Sequence, residues 1–426
     1  MESPFSTCLF QAGESMQFLV ALITRAPVPV LLAACLTAQT AAPPPSYRFS
    51  ANGAAPGIPV EVIANGLVLV RAKVNDHPGW FIVDNAVQGF VADRDYTHRI
   101  SLEESGKALT RGEAPDPSEA GIVRDVRISL PGLELTHRVL VVIDSKSLEP
   151  AIGHRVDGII GSRLFDDFVV SVDYQRASMS VYAPERYQPS GNEKPLPVRV
   201  DQHGFQFIEV TIVLPGVTPI TGEYLIDSGA NSYLEIYKPF CDEHRLPPPA
   251  MKLLDAPGTS AGATTKSTDG RADRIDVGPF SIRNPPISFG EDVAGLMASK
   301  DHAGLIGAAF LQRFIVVYDS PGKRILLAPN RDYGDPPPYD QSGLRIHAEG
   351  PSFHKFVVGR VLPGSPAVGA GIEPGDIIES LERTSANEMT LTQLRSLLTQ
   401  PNARYSVGII RGKSRLRINL QLRPLL

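Results

Sequence analysis

Asp227-Ser228-Gly229-Ala230 follows the apolar run Tyr224-Leu225-Ile226, and Asp84-Asn85-Ala86-Val87 follows Trp80-Phe81-Ile82-Val83. The two acids lie 227 − 84 = 143 residues apart, each at the end of a short apolar stretch and the start of a turn. A pair of carboxyl groups can hydrolyse an amide without a metal or a covalent nucleophile. One, ionised, takes a proton from water, and the other, protonated, polarises the carbonyl oxygen. One acid cannot serve both roles at once. At a separation of about 3 Å and an effective dielectric near 20, two carboxylates repel by roughly 5.5 kcal/mol, or about four pKa units. Such a pair keeps one proton over a wide acidic range, and its pKa values belong to the pair.

For two acids to meet, equivalent scaffolds must deliver them, and the chain carries a duplication. Gly158-Ile159-Ile160-Gly161 through Phe168 to Asp173 aligns without a gap on Gly304-Leu305-Ile306-Gly307 through Phe314 to Asp319, at an offset of 304 − 158 = 146. The acids sit at an offset of 143, so the two markers differ by only three residues of length. β-Branched or alternating stretches bounded by turn residues predict strands over 67–74, 80–83, 121–130, 139–143 and 168–174, repeated over 207–213, 223–226, 274–277 and 314–318. Helical material is slight. The reading is mainly β: one unit over 46–190, a second over 191–332, with a connector near 188–195 and a stiff proline-rich linker over 333–342.

The aspartate after an apolar strand, the Gly-flanked apolar pair 77 residues later and the second copy of both resemble the retropepsin-like and pepsin-like aspartic proteases over most of 46–330. The resemblance implies two lobes of acid-protease β-barrel type forming a bilobal cleft, with Asp84 and Asp227 as the catalytic dyad. It implies loop-supporting roles for Asn85, Ala86, Ser228, Gly229 and Ala230, and packing roles for Ile159-Ile160 and Leu305-Ile306. The first unit departs from the pattern: Asn85 stands where Ser or Thr is expected, and Ala86, whose Cβ would widen the site, where Gly is expected. Three readings stay open. The protein is an aspartic endopeptidase, or a degenerate pseudoprotease that only binds peptides, or an enzyme whose second units pair between two chains through Asp227. Ser105 to Ala120 and Gly258 to Gly270 are candidate flaps. No cofactor or metal is implied.

From Gly343 onward, Phe356-Val-Val-Gly-Arg-Val361, Leu362-Pro-Gly-Ser-Pro-Ala367 and Gly371-Ile-Glu-Pro-Gly-Asp376 resemble a PDZ domain over 343–426. The resemblance implies β structure with one or two short helices, and capture of peptide C-termini on the loop Gly343, Leu344, Arg345, Ile346, with the peptide added as a strand. Thr390 and Gln393 form a capping box for a helix whose apolar face is Leu391, Leu394, Leu397 and Leu398 and which must end before Pro401. Residues 415–423 alternate as a half-buried strand does.

The remaining features bound the function. Over 426 residues, 42% hydrophobic and 20% charged, there is ample material for several packed cores. The charge, 41 − 46 = −5, argues against a nucleic-acid partner bound by phosphate neutralisation. Residues 1–45 read as an export signal with a Pro-rich tether. Leu32-Ala33-Ala34-Cys35 resembles a lipobox, which implies possible membrane attachment through lipid on Cys35, so the expected location is periplasmic or extracellular. Cys8 and Cys35 fall in or before that signal, which leaves Cys241 alone in the body and no intrachain disulfide. Gly258-Thr-Ser260-Ala-Gly262 matches a serine-hydrolase elbow without its strand and helix. Gly408 to Ser414 is one residue short of a phosphate loop.

Overall fold

The computed structural model describes residues 46–110, 118–256, 258–260 and 263–426. The segment read as an export signal, with Cys8 and Cys35, and parts of both candidate flap stretches (111–117, 257, 261 and 262) lie outside the described residues. Among the described residues, no helix is long and apolar enough to cross a membrane. The protein is mainly β with a C-terminal PDZ domain.

The duplication is expressed as a two-fold arrangement. Val169–Asp173 pairs antiparallel with Phe314–Asp319, and within that pair Ser171 faces Val317. Since 317 − 171 = 146, these two residues are repeat equivalents facing one another, and a local two-fold passes between them. Ser178–Tyr182 and Arg324–Pro329 flank these strands, and Ala54–Ile63 and Lys194–Pro197 complete six neighbouring strands contributed by both halves. The expected connector at 188–195 thus overlaps a strand that bonds to the second half. One buried apolar cluster runs through both halves, from Ala55 to Leu327. Burying each Val, Ile or Phe of this cluster contributes about 1.5–3 kcal/mol, so neither half keeps its core alone.

Each half delivers its aspartate in the same way. The strand His77–Val83 lies parallel to Gly158–Ile160, with Phe81 opposite Gly158, and Ile220–Asp227 lies parallel to Gly304–Gly307, with Tyr224 opposite Gly304. The short central strand is paired on its other side, antiparallel, by Phe90–Asp93 in one half and Leu234–Ile236 in the other. These three-strand crossings need glycines at the ends of the central strand. A Cβ at Gly307 would lie 2.5 Å from Ser232 O and 2.7 Å from Ala230 O, and one at Gly161 would fall on Val87 O and Gly89 O.

After Gly161 the helix Ser162–Asp167 reaches the second half, where Ser162 Oγ donates to His203 O (3.4 Å) and the turn at Gly204 backs onto Asp166. Burial, with Asp167 and Asp201 nearby and Arg163 opposing, pushes the Asp166 carboxyl up to about 6. A carboxyl raised in the folded state loses stability as pH climbs from its unfolded value near 4 to its folded value, and the loss is complete above that window. Asp166→Asn is therefore expected to gain about 1–2 kcal/mol at neutral pH and nothing below about pH 4. Calorimetric melting at the two pH values checks this, and an equal gain at both would refute it.

The linker is fastened rather than free. Arg313 is 4% exposed, and its Nη1 donates to Asp332 O (2.5 Å) and Asp335 O (2.6 Å). Tyr333 packs on Phe314 (5.3 Å between ring centroids) and accepts from Ser281 N–H (3.0 Å). The proline-rich stretch is thus part of the surface of the second half.

The PDZ region has its own core, including Leu344, Ile346, Phe356, Leu391, Leu394 and Leu398. Its strands run in the order Leu344–Glu349, Lys355–Val361, Ile377–Leu381, Arg404–Arg411 and Ser414–Gln421. The capping box closes the helix Leu391–Leu397 as expected. Leu397 and Leu416, by contrast, are 36% and 39% exposed, because the helix ends and the last hairpin overhangs the core at those points. Arg411 and Ser414 pair at the turn of that hairpin, which leaves no phosphate loop. Burial works to raise the Asp376 carboxyl, but bonds from Arg411 (2.7 and 2.8 Å) and Glu373 N–H (2.9 Å) outweigh it and hold the group below its ordinary value. Its stabilising effect is present above pH 4 or so and is lost as pH falls through the depressed value. Arg411→Ala should move the acid-unfolding midpoint, followed by circular dichroism, to higher pH.

Candidate active site

Asp84 and Asp227 leave their strands where the halves meet, and the residue after each reaches across. Asn85 N–H donates to Ser228 Oγ (3.1 Å), and Ser228 N–H donates to Asn85 Oδ1 (2.8 Å). Asn85 Nδ2 donates to Ile226 O (2.7 Å), and Ser228 Oγ donates to Val83 O (3.1 Å). Since 226 − 83 = 143, the two acceptor carbonyls are repeat equivalents and the four bonds form a two-fold set. Asn85 is 1% and Ser228 3% exposed, so each bond satisfies a group that water does not reach. The Asn85 amide accepts with oxygen and donates with nitrogen where a hydroxyl does both with one atom. These bonds join two halves of one chain.

The carboxylates are held by the next amides. Ala86 N–H donates to Asp84 Oδ1 (2.8 Å), while Gly229 N–H (2.8 Å) and Ala230 N–H (3.0 Å) both donate to Asp227 Oδ1. Gly229 must be glycine, because a Cβ there would fall on the Asp84 carboxylate. The Asp84 carboxyl therefore lies against the same residue whose N–H holds Asp227. Ala86, the repeat equivalent of Gly229 (229 − 86 = 143), carries the Cβ that Gly229 lacks. The site is correspondingly unequal: Asp84 is 8% exposed, and Asp227 is only partly buried.

Beneath the loops, Asp84 N–H donates to Ile160 O (3.0 Å), and Asp227 stands opposite Gly307 in the strand pair. The Ile159-Ile160 and Leu305-Ile306 segments occupy the supporting place expected of them. Two further residues were not singled out from the sequence. Tyr318, fully buried in the central strand, lies under Ser228, and burial pushes its hydroxyl well above the ordinary value, so it stays a protonated phenol. It stands where the first copy has Val172, since 318 − 146 = 172, and that break in the repeat was the available signal. Arg313 Nε donates to Tyr233 Oη (3.0 Å), which ties the linker to the segment just after the second aspartate.

Of the flap candidates, Gly106–Thr110 pairs with Ser118–Leu130, and Gly258–Ser260 with Ala263–Thr265. Both are hairpins, and the second replaces the strand and helix that a serine elbow would need.

In the PDZ region the loop amides are already partnered. Ser342 N–H (3.1 Å) and Gly343 N–H (2.7 Å) donate to the half-buried Asp340 carboxylate, and Leu344 N–H donates to Ser342 Oγ (3.0 Å). Arg345 Nη1 lies 3.6 Å from Asp340. An internal carboxylate thus occupies the first amide, that of Gly343, of the loop expected to receive a peptide's terminal carboxylate.

A family model described as PDZ domain matches residues 336–410. The match begins inside the segment read as linker and ends within the fourth long strand of the module. Among solved structures, Basic 7S globulin from soybean aligns over 67% of this chain and 97% of its own length, at 10% identity and a TM-score of 0.40. No curated protein matches the chain.

Proposed function

We propose that the body of this chain is an exported aspartic-type endopeptidase of two retropepsin-like lobes, followed by a PDZ domain that binds polypeptide. The observation that carries the reading is the reciprocal Asn85–Ser228 bonding between the residues that follow Asp84 and Asp227. In this reading a water held between the two carboxyls attacks the scissile carbonyl. The ionised member of the pair takes the proton from water. The protonated member holds the shared proton and donates it toward the carbonyl oxygen as the tetrahedral intermediate forms. Asn85, Ala86, Ser228, Gly229 and Ala230 keep the carboxyls in place. The PDZ loop Gly343 to Ile346 would take a chain end only after Asp340 yields its amides.

Ala86, which carries a Cβ where the second copy has Gly229, favours a second reading, a peptide-binding pseudoprotease whose acids no longer hold a water between them. Incubation of the protein with unfolded casein from acid to neutral pH, with and without a pepstatin-type inhibitor, separates the two. Cleavage that the inhibitor suppresses supports the first. No cleavage at any pH leaves the second, and cleavage indifferent to the inhibitor refutes a carboxyl pair as its source.

A further inference from the structure

A PDZ groove lies between an edge strand and a helix, here Leu344–Glu349 and Leu391–Leu397. Among the described residues the strand pairs only with Lys355–Val361, and Arg395 Nη2 crosses from the helix to donate to Ile346 O (2.7 Å). The first half of the body covers this groove. Its helix Leu148–Ile152 packs against the strand Leu344–Glu349. Gly153, which ends that helix, is pressed against the groove helix so closely that a Cβ would lie 2.6 Å from Leu391 Cβ. Ala64 N–H donates to Thr392 Oγ1 (3.2 Å). The second half is held by other contacts, the Arg360–Asp255 ion pair and the bond from Tyr339 Oη to Asp269 (2.9 Å).

The covering helix is also tied to the catalytic strand. It touches Gly258–Ser260 of the second half and leads through Gly153 to Gly158–Ile160, the neighbour of the Asp84 strand. On the way Asp157, 2% exposed, accepts from Trp80 N–H (2.9 Å) and gives its own N–H to Trp80 O (2.7 Å).

We propose that the PDZ module is an intramolecular clamp: its groove is occupied by residues 148–153 of its own chain, and by gripping both halves it restrains opening of the cleft. A peptide can add to the edge strand only by displacing that helix. The consequence for turnover rests on the catalytic reading above, whereas the clamp itself does not.

Trp80 is the only tryptophan and packs edge-on against His154 (4.9 Å), one residue beyond Gly153, so its emission reports the clamp. In the full chain, Thr392→Arg places a bulky charge at the Ala64 contact. Thr392→Val removes only the acceptor and serves as the milder variant should the first fail to fold. Ala64→Cys with Thr392→Cys, in a Cys8→Ser, Cys35→Ser background, allows a disulfide that locks the contact, while the native Cys241 is buried. Opening should red-shift Trp80 emission and raise casein cleavage about fivefold, with Thr392→Val intermediate. The oxidised pair should keep wild-type emission and cleave about fivefold more slowly, with reductant restoring the rate. Identical emission in opened and locked proteins overturns the clamp, and equal cleavage rates in both overturn its control of the cleft. An emission response with no cleavage by any form upholds the clamp and refutes the catalytic reading.

Discussion

Asp227→Asn is expected to reduce casein cleavage by about a thousandfold or more, and Asp84→Asn to do the same, because each removes one of two proton-transfer roles that the other cannot assume. The fold should survive both changes. The side-chain oxygen that accepts from Gly229 and Ala230, or from Ala86, is retained in Asn, so no buried N–H is orphaned. Loss of rate with an unchanged melting temperature is the expected pair of observations. Activity surviving in Asp84→Asn would mean that the first half is not part of the catalytic pair. Survival in Asp227→Asn would remove the assignment altogether.

The second large effect is at Asn85. Asn85→Ala leaves Ser228 N–H and Ile226 C=O buried without their partners. Each such group costs about 1–3 kcal/mol, so chemical denaturation should show a loss of about 2–5 kcal/mol. Cleavage should fall by about a hundredfold, since the loops that align the carboxyls are no longer joined across the two-fold. Asn85→Thr should stay within about 1 kcal/mol of the natural protein, because a hydroxyl can both accept from Ser228 N–H and donate to Ile226 O, as Ser228 does at the equivalent position. If Asn85→Ala and Asn85→Thr behave alike, the cross-loop bonding is not what holds the site.

Much of the architecture was legible because the same sequence pattern occurs twice. The strand Leu67–Val74 and the strand Arg274–Val277 match their expected limits, and the register of Asp84 beside Gly158–Ile160 repeats that of Asp227 beside Gly304–Gly307. The residues that connect modules were harder to read. The prolines at 336–338 suggest a spacer, yet the Arg313 guanidinium, 23 residues upstream of Pro336, gathers the backbone carbonyls of that segment and fixes it. Asp340 likewise reads as a linker acid, and only the folded loop brings its carboxyl onto the amides of Ser342 and Gly343.

By itself the sequence determined that two acids end equivalent apolar strands, that glycines flank the short strand beside each, and that a distinct β module follows. These are local properties, written in alternation, turn residues and repetition. Only the tertiary structure decided that Asn85 can replace a hydroxyl, that Gly229 must make room for Asp84, and that the groove strand is covered by residues 148–153. Each of these depends on groups more than 100 residues apart being brought within van der Waals or hydrogen-bond reach. No local pattern encodes which atoms meet when two surfaces fold onto one another.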